Sequence, residues 1–444
     1  MKTLKTFNSF LLGIFILSIG LTSCEDRVSQ EVSYTANIPI YLPMNELLST
    51  IEYGEPTELE NVGKIYSFGS LLYIGERGKG VHILDNSDPS NPLNIGFLNI
   101  PGNKDIAIKG SYLYADCHTD LLVFKINGLE TYEIVNRVES VFSYIIPEYN
   151  SKYPLGKLDQ SKGIVIGYDI AEVTEDRAYR NYEEAPFLVQ SESFDQNSRA
   201  SFGGVGESSN RSVNSGSEGI GGSFAQFMLV DDYLYVMNTN TEISLFDISS
   251  PANPRDDGEF SPGWEIETLF KNDDKLFIGG NLGMYIYSVE DPSNPTYLSE
   301  FNHADACDPV VADDKFAYVT LRTGTQCLGQ VNQLDVLDIS DVYQPTLINT
   351  VNMSNPHGVG IDPENDVLFV CDGNDGLKVF RASEAQGNSF SNITPLQHIQ
   401  GVTAYDVIPN DGKLMMIGEE GLYQFDYDNG SSWLSLLSVV NIGS

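Results

Sequence analysis

The chain has 444 residues, with 25 Lys+Arg against 62 Asp+Glu and a formal net charge of −37. A surface of that sign repels nucleic acid and anionic headgroups, which argues against a nucleic-acid partner. The acids are interspersed with aromatic and β-branched residues, and 41% of the chain is hydrophobic, unlike the composition of a disordered protein.

Lys2 and Lys5 precede an apolar run from Phe10 to Leu21, too short to span a bilayer as a stable helix. The run ends in Leu21-Thr22-Ser23-Cys24, which resembles the lipobox of bacterial lipoproteins. The resemblance implies that residues 1–23 are a signal peptide, that Cys24 is lipidated, and that residues 24–60 form a tether and leader. A plain secretory signal is the alternative. Glu25 and Asp26 resemble the acidic export tract of Gram-negative surface lipoproteins, although Arg27 interrupts it. The expected location is the cell envelope, as an outer-membrane lipoprotein, with surface display as the tract's further implication.

A phrase then recurs: an apolar run followed by Asp-x-Ser-Asp-Pro-x-Asn-Pro. It reads Leu84-Asp85-Asn86-Ser87-Asp88-Pro89-Ser90-Asn91-Pro92, and returns at Phe246–Pro254, at Tyr287–Pro295 and, more loosely, at Leu337–Pro345. The apolar half alone recurs at Leu122–Lys125, Lys378–Arg381 and Tyr423–Asp426. Seven copies therefore end at Asp85, Lys125, Asp247, Ser288, Asp338, Arg381 and Asp426, mostly about 40–50 residues apart. The long interval before Asp247 holds an insertion, residues 147–222. Its second half, Ser191 to Gly222, is rich in Ser, Gly and Asn and reads as a mobile loop, with a small strand such as Gly163–Tyr168 inside the first half.

Each unit shows about four short Val/Ile/Tyr/Phe runs bounded by Gly, Asn, Asp and Pro, with the two-residue period of strands. Such units are the signature of propeller blades. The phrases resemble those of LVIVD-repeat β-propeller lipoproteins over residues 61–444, apart from the insertion. The expected fold is all-β: a single β-propeller of seven four-stranded blades with a long flexible insertion after blade 2. A two-sheet sandwich or a solenoid is the alternative. The resemblance implies little about activity, because the repeat rather than a reaction defines that family.

Aligning the innermost strands places Lys64, Asp105, Gln226, Glu267, Asp308, His357 and Asp406 at one shared first position, with Gly, Asp or Asn at the sixth for a turn. In a propeller these seven form a ring near one channel mouth. Close carboxylates repel unless a cation sits among them, so a divalent cation or a polar ligand is the expected occupant. A water-lined channel is the plain alternative.

Cys307 and Cys327 flank one predicted strand and form a candidate disulfide in an oxidising compartment. Cys117 and Cys371 read as buried thiols. His303, Asp305 and Asp308 form a weaker metal candidate, and Asp372–Gly376 reads as a hairpin turn rather than a calcium loop. His118 and Asp120 read as surface residues, while Trp264 offers either a sugar-stacking face or core packing. Enzyme motifs such as His-Glu-x-x-His or Gly-x-Ser-x-Gly are absent from the sequence. The first functional reading is a non-enzymatic propeller that binds a ligand, protein or glycan at the envelope. The alternatives are a hydrolase or lyase using ring carboxylates, and a purely structural envelope component.

Overall fold

The Asp-Pro phrase folds as two consecutive turns held by its own side chains. Asp85, Asp247 and Asp338 each accept from the backbone N–H two residues on, at 2.8–2.9 Å. Asp88, Asp291 and Asp341 repeat the contact at 3.0–3.1 Å. Short acidic side chains that bond their own backbone favour turns over strands, and the prolines cannot donate to a ladder. Each phrase therefore separates the third strand of a sheet from its outermost strand.

The computed structural model describes residues 29–178, 218–302, 309–323, 331–385, 395–427 and 434–443. The chain divides into two units, one of residues 1–41 with 147–196, the other of residues 42–146 with 197–444. In the first unit, strand Ser29–Leu42 pairs with strand Ile164–Ala178. Asn37 braces the neighbouring turn, its side-chain amide donating to the carbonyls of Asn150 (2.9 Å) and Tyr153 (2.8 Å). The strand expected around Gly163–Tyr168 is present as Ile164–Ala178, and the leader supplies its partner.

Among the described residues of the second unit there are seven blades, each with four strands consecutive in sequence. Their inner strands are Val62–Phe68, Ile106–Lys109, Phe227–Val230, Ile266–Asn272, Val310–Ala312, Val359–Asp362 and Ala404–Asn410. Each packs against the next, and the seventh returns to the first, so the ring closes. Blade 1 gains two short strands, Tyr53–Gly54 outside and Ile220–Gly221 inside. The turn expected at the sixth position forms, with left-handed backbone at Gly69, Gly110, Asp231 and Asp411.

Apolar faces of adjacent sheets meet between blades. Ile65, Leu72 and Ile74 of blade 1 pack with Ile408, Met415 and Ile417 of blade 7. Leu234 and Val236 of blade 3 meet Tyr114 and Val123 of blade 2. Burying such side chains stabilises by about 1.5–3 kcal/mol each, and a single blade has no second sheet to bury them against. Cys117 and Cys371 are free and buried in these layers, as their reading from sequence anticipates.

The phrase also joins blades. In all four copies the carbonyl at the first Pro position accepts a hydrogen bond from the preceding blade: Tyr114 Oη to Pro251 (3.0 Å), Tyr235 Oη to Pro292 (2.7 Å), Ser299 Oγ to Val342, and Ser438 Oγ to Pro89 (2.7 Å). The last of these bridges blade 7 to blade 1. Gln424 Nε2 to Asn86 Oδ1 (2.7 Å) and Gly443 N to Leu59 O (2.7 Å) seal the same junction. Among the described residues, closure is therefore made by these hydrogen bonds and by apolar packing, with no strand shared between sheets.

Replacing Tyr235 by Phe removes one donor and strands a carbonyl. Tyr235→Phe should cost about 1–1.5 kcal/mol in denaturant unfolding. Tyr297→Phe, whose ring is 53% exposed, should change stability little. Equal effects of the two would show that the inter-blade bond adds nothing.

Candidate functional site

The inner strands run from one mouth of the channel to the other, so their first residues crowd the same end. Six of the seven aligned residues are described; Asp308 lies outside the described residues, as do Cys307, Cys327, His303 and Asp305.

Lys64, Asp105 and Gln226 meet. Lys64 Nζ lies 2.8 Å from Asp105 Oδ2, and both groups are nearly buried. The same oxygen accepts from Gln226 N (2.8 Å) and Phe227 N (3.1 Å), while Oδ1 accepts from Ile106 N (2.8 Å). Asp105 thus ties blades 1, 2 and 3 together, with the Lys64 ammonium supplying the positive charge. Among the described residues, no group of three or more His, Cys, Asp or Glu is placed to hold a metal ion.

Asp406 is buried on blade 7. Its Oδ1 accepts from Ser223 N (2.9 Å), Ser223 Oγ (2.9 Å) and Val407 N (3.0 Å), whereas Oδ2 has no hydrogen-bond partner. Burial raises its pKa from 3.8 to about 7, against the pull of Ser223 and Lys64.

Ser223 directly follows Gly222, the last residue of the stretch read from sequence as a mobile loop. Residues 218–225 instead thread the ring. Glu218 bridges to Lys109 of blade 2, and Ile220–Gly221 pairs with Tyr66 and Ser67 of blade 1. Ser223 Oγ accepts from Val359 N of blade 6 (2.9 Å), and Ala225 bridges to Leu269 of blade 4. Gly219 and residues 221–225 are buried. Glycine is required where the thread passes Asp406, because a Cβ on Gly222 would stand 2.1 Å from Oδ2. The segment thus lies against residues of five blades.

His357, on the approach to blade 6, has Nδ1 against Arg322 and Nε2 3.2 Å from the Asn355 amide. Its ring lies 5.4 Å from that of Tyr405. Burial, then the Arg322 charge, lowers its pKa to about 3, so it stays neutral. Glu267 is partly exposed on blade 4.

The residues just after each second strand form a set that the sequence reading did not align. That position carries Arg77, His118, Asn238, Asn281, Arg322, Asp372 and Glu419, and the same alignment that found the first ring would have displayed this one. Arg77 packs on Gly63, its Cγ 3.5 Å from where a Cβ would stand, beside Lys64. Burial lowers its pKa to about 10. Desolvation of the Lys104 ammonium lowers its pKa, with the Asp116 charge opposing.

Three smaller expectations resolve. Asp120 is buried rather than a surface residue, because Arg137 Nε (2.6 Å) and Ser140 N (3.0 Å) bond it. Asp372–Gly376 is a hairpin turn, with Asp372 N bonded to Gly376 O at 2.8 Å. Trp264 is 73% exposed, so it is not core.

Two outcomes follow from the thread. Gly222→Ala should lower stability by about 1–3 kcal/mol through overpacking, while Gly54→Ala, with open space around it, should not. The folded protein also holds a proton on Asp406 that the unfolded chain releases above pH 3.8. The stability from this group is complete below that pH and is lost as pH rises through about 7. Thermal melts of wild type and Asp406→Asn should therefore diverge in the variant's favour between pH 4 and 8. A constant difference across that range would contradict the buried acid.

The LVIVD repeat family matches residues 63–99, 221–260 and 303–353, less than half of the chain. No curated protein matches. Three solved structures are similar in fold at low identity. A protein from Lactobacillus plantarum shares 12% identity with a TM-score of 0.43, over 84% of this chain and 83% of that one. Saccharomyces cerevisiae Sqt1 shares 8% with a TM-score of 0.49, over 87% and 88%. BamB from Moraxella catarrhalis shares 9% with a TM-score of 0.43, over 88% and 91%. Likeness at this level transfers no ligand or partner. The chain carries LVIVD repeats built into a seven-bladed β-propeller.

Proposed function

We propose that this chain is a non-enzymatic binding propeller of the cell envelope. In this reading it is held to the outer membrane by a lipid on Cys24 and faces a ligand, protein or glycan partner with the mouth around Lys64, Asp105, Gln226, Glu267, Asp308, His357 and Asp406. The supporting observation is the occupation of the two buried carboxylates. Both Asp105 oxygens accept hydrogen bonds, and Asp406 is sealed behind Gly222 and Ser223. A general acid or base must reach the proton it moves, and these two face protein instead. They are better suited to positioning the rim than to chemistry, which favours binding over the hydrolase or lyase alternative. Cys24 and the apolar run before it support the tether, and among the described residues no helix is long and apolar enough to cross a membrane.

Fractionation of cells expressing the full chain tests the anchor: Cys24→Ala should move the protein from the membrane to the soluble fraction. An unchanged distribution would overturn the lipid tether. Incubation with a set of defined soluble glycans tests the absence of chemistry, and every glycan should be recovered with its mass unaltered. A mass change lost in a Glu267→Gln, Asp308→Asn double variant would establish the hydrolase or lyase instead.

A further inference from the structure

The thread of residues 218–225 meets the blades in ring order. Glu218 pairs with Lys109 of blade 2, and Ile220–Gly221 with Ser67 and Tyr66 of blade 1. Ser223 then bonds Asp406 of blade 7 and Val359 of blade 6, and Ala225 pairs with Leu269 of blade 4. The two ends are held by backbone: Gly219 N donates to Ile108 O (3.1 Å), and Leu269 N to Ala225 O (2.8 Å). Among the described residues, the hydrogen bonds that fix the middle are those of Ser223, to Asp406 Oδ1 and from Val359 N. One carboxyl on blade 7 therefore decides whether residues 222–224 stay seated.

Asp105 and Asp406 share one aligned position but are built differently. Both oxygens of Asp105 are engaged, one of them by Lys64 Nζ at 2.8 Å. Asp406 is 3% exposed, with three donors on Oδ1 and none on Oδ2. Main chain closes on it from two sides, at Gly222 and Gly358, where a Cβ would overlap the carboxyl. From blade 6 it faces Cys371, a buried thiol, and His357, held neutral next to Arg322. From blade 1, Lys64 pulls it toward the charged form, but from a place on Asp105. Ionising a carboxyl with one bare oxygen is costly in such surroundings, and moving the thread off it lets water solvate the charge.

We infer that residues 222–224 are an acid-closed strap, seated against blades 6 and 7 while Asp406 carries its proton and loosened when that carboxyl ionises. Burial holds the seated Asp406 pKa up to about 7, against 3.8 for a solvated carboxyl. The seated form binds the proton more tightly, so seating is most secure below pH 3.8. It weakens about tenfold per pH unit above that and levels off once the pH passes about 7. The strap carries Phe224, 4% exposed, whose ring lies 5.9 Å from the Arg322 guanidinium. Loosening uncovers that apolar ring beside a cation, whatever partner the protein binds.

Hydrogen exchange of the full chain between pH 5 and 8, corrected for the intrinsic pH dependence of amide exchange, tests the strap. The Ser223 and Val359 amides should open about tenfold more with each pH unit up to about pH 7, then level off. The Gln226 and Phe227 amides are bonded to Asp105 instead and should show no such rise. Asp406→Asn cannot ionise, so its Ser223 and Val359 amides should exchange at a corrected rate independent of pH. A flat corrected rate in wild type, a rise preserved in Asp406→Asn, or an equal rise at Phe227 overturns the strap. Should the variant fail to fold, the wild-type contrast between Val359 and Phe227 decides alone.

Discussion

At four of the seven junctions a hydrogen bond passes from one blade to the turn of the next and fixes how the two sheets sit together. The first proline position of every Asp-Pro phrase leaves a carbonyl facing the preceding sheet, and a hydroxyl of that sheet fills it. Both partners are largely withdrawn from water, so neither is easily replaced by solvent. Apolar burial between sheets is stronger in sum but has no direction; it would tolerate sliding of one sheet on another. The polar contact removes that freedom. It also explains how the last blade finds the first without exchanging a strand, because Ser438 and Pro89 make the same contact that serves within the array.

The thread through the channel changes what the inner polar residues are for. Asp105 and Asp406 resemble site carboxylates when counted along the chain. In space each holds segments of different blades together, Asp105 through Lys64 and blade 3, Asp406 through Ser223. A carboxylate with its oxygens occupied by N–H groups carries its charge at low cost, and one left half-bonded in the interior tends to keep its proton. The two cases stand a few residues from the same thread.

The fold was largely legible in the sequence. The phrase at Leu84–Pro92 and its copies marked the third strand and the turn of four blades, since proline and Asx turns act locally. The shorter copies ending at Lys125, Arg381 and Asp426 completed the count of seven. The aligned sixth positions located the inner hairpin turns, where Gly69, Gly110, Asp231 and Asp411 adopt the left-handed backbone. The candidate site was legible only in part. Lys64, Asp105, Gln226, His357 and Asp406 do gather at one mouth, but Arg77, Lys104, Arg322 and Tyr405 beside them were missed, and so was the thread.

What the amino-acid order determined by itself was the repeat, the strand alternation and the polar first position, all of which depend on neighbours within a few residues. What only the tertiary structure decided was the fate of residues 218–225. The segment's Gly and Ser residues look like a solvated loop because nothing nearby in sequence can bury them. Here blades 1, 2, 4, 6 and 7 surround them, and the lack of side chains at Gly219, Gly221 and Gly222 is what lets the segment fit inside the ring.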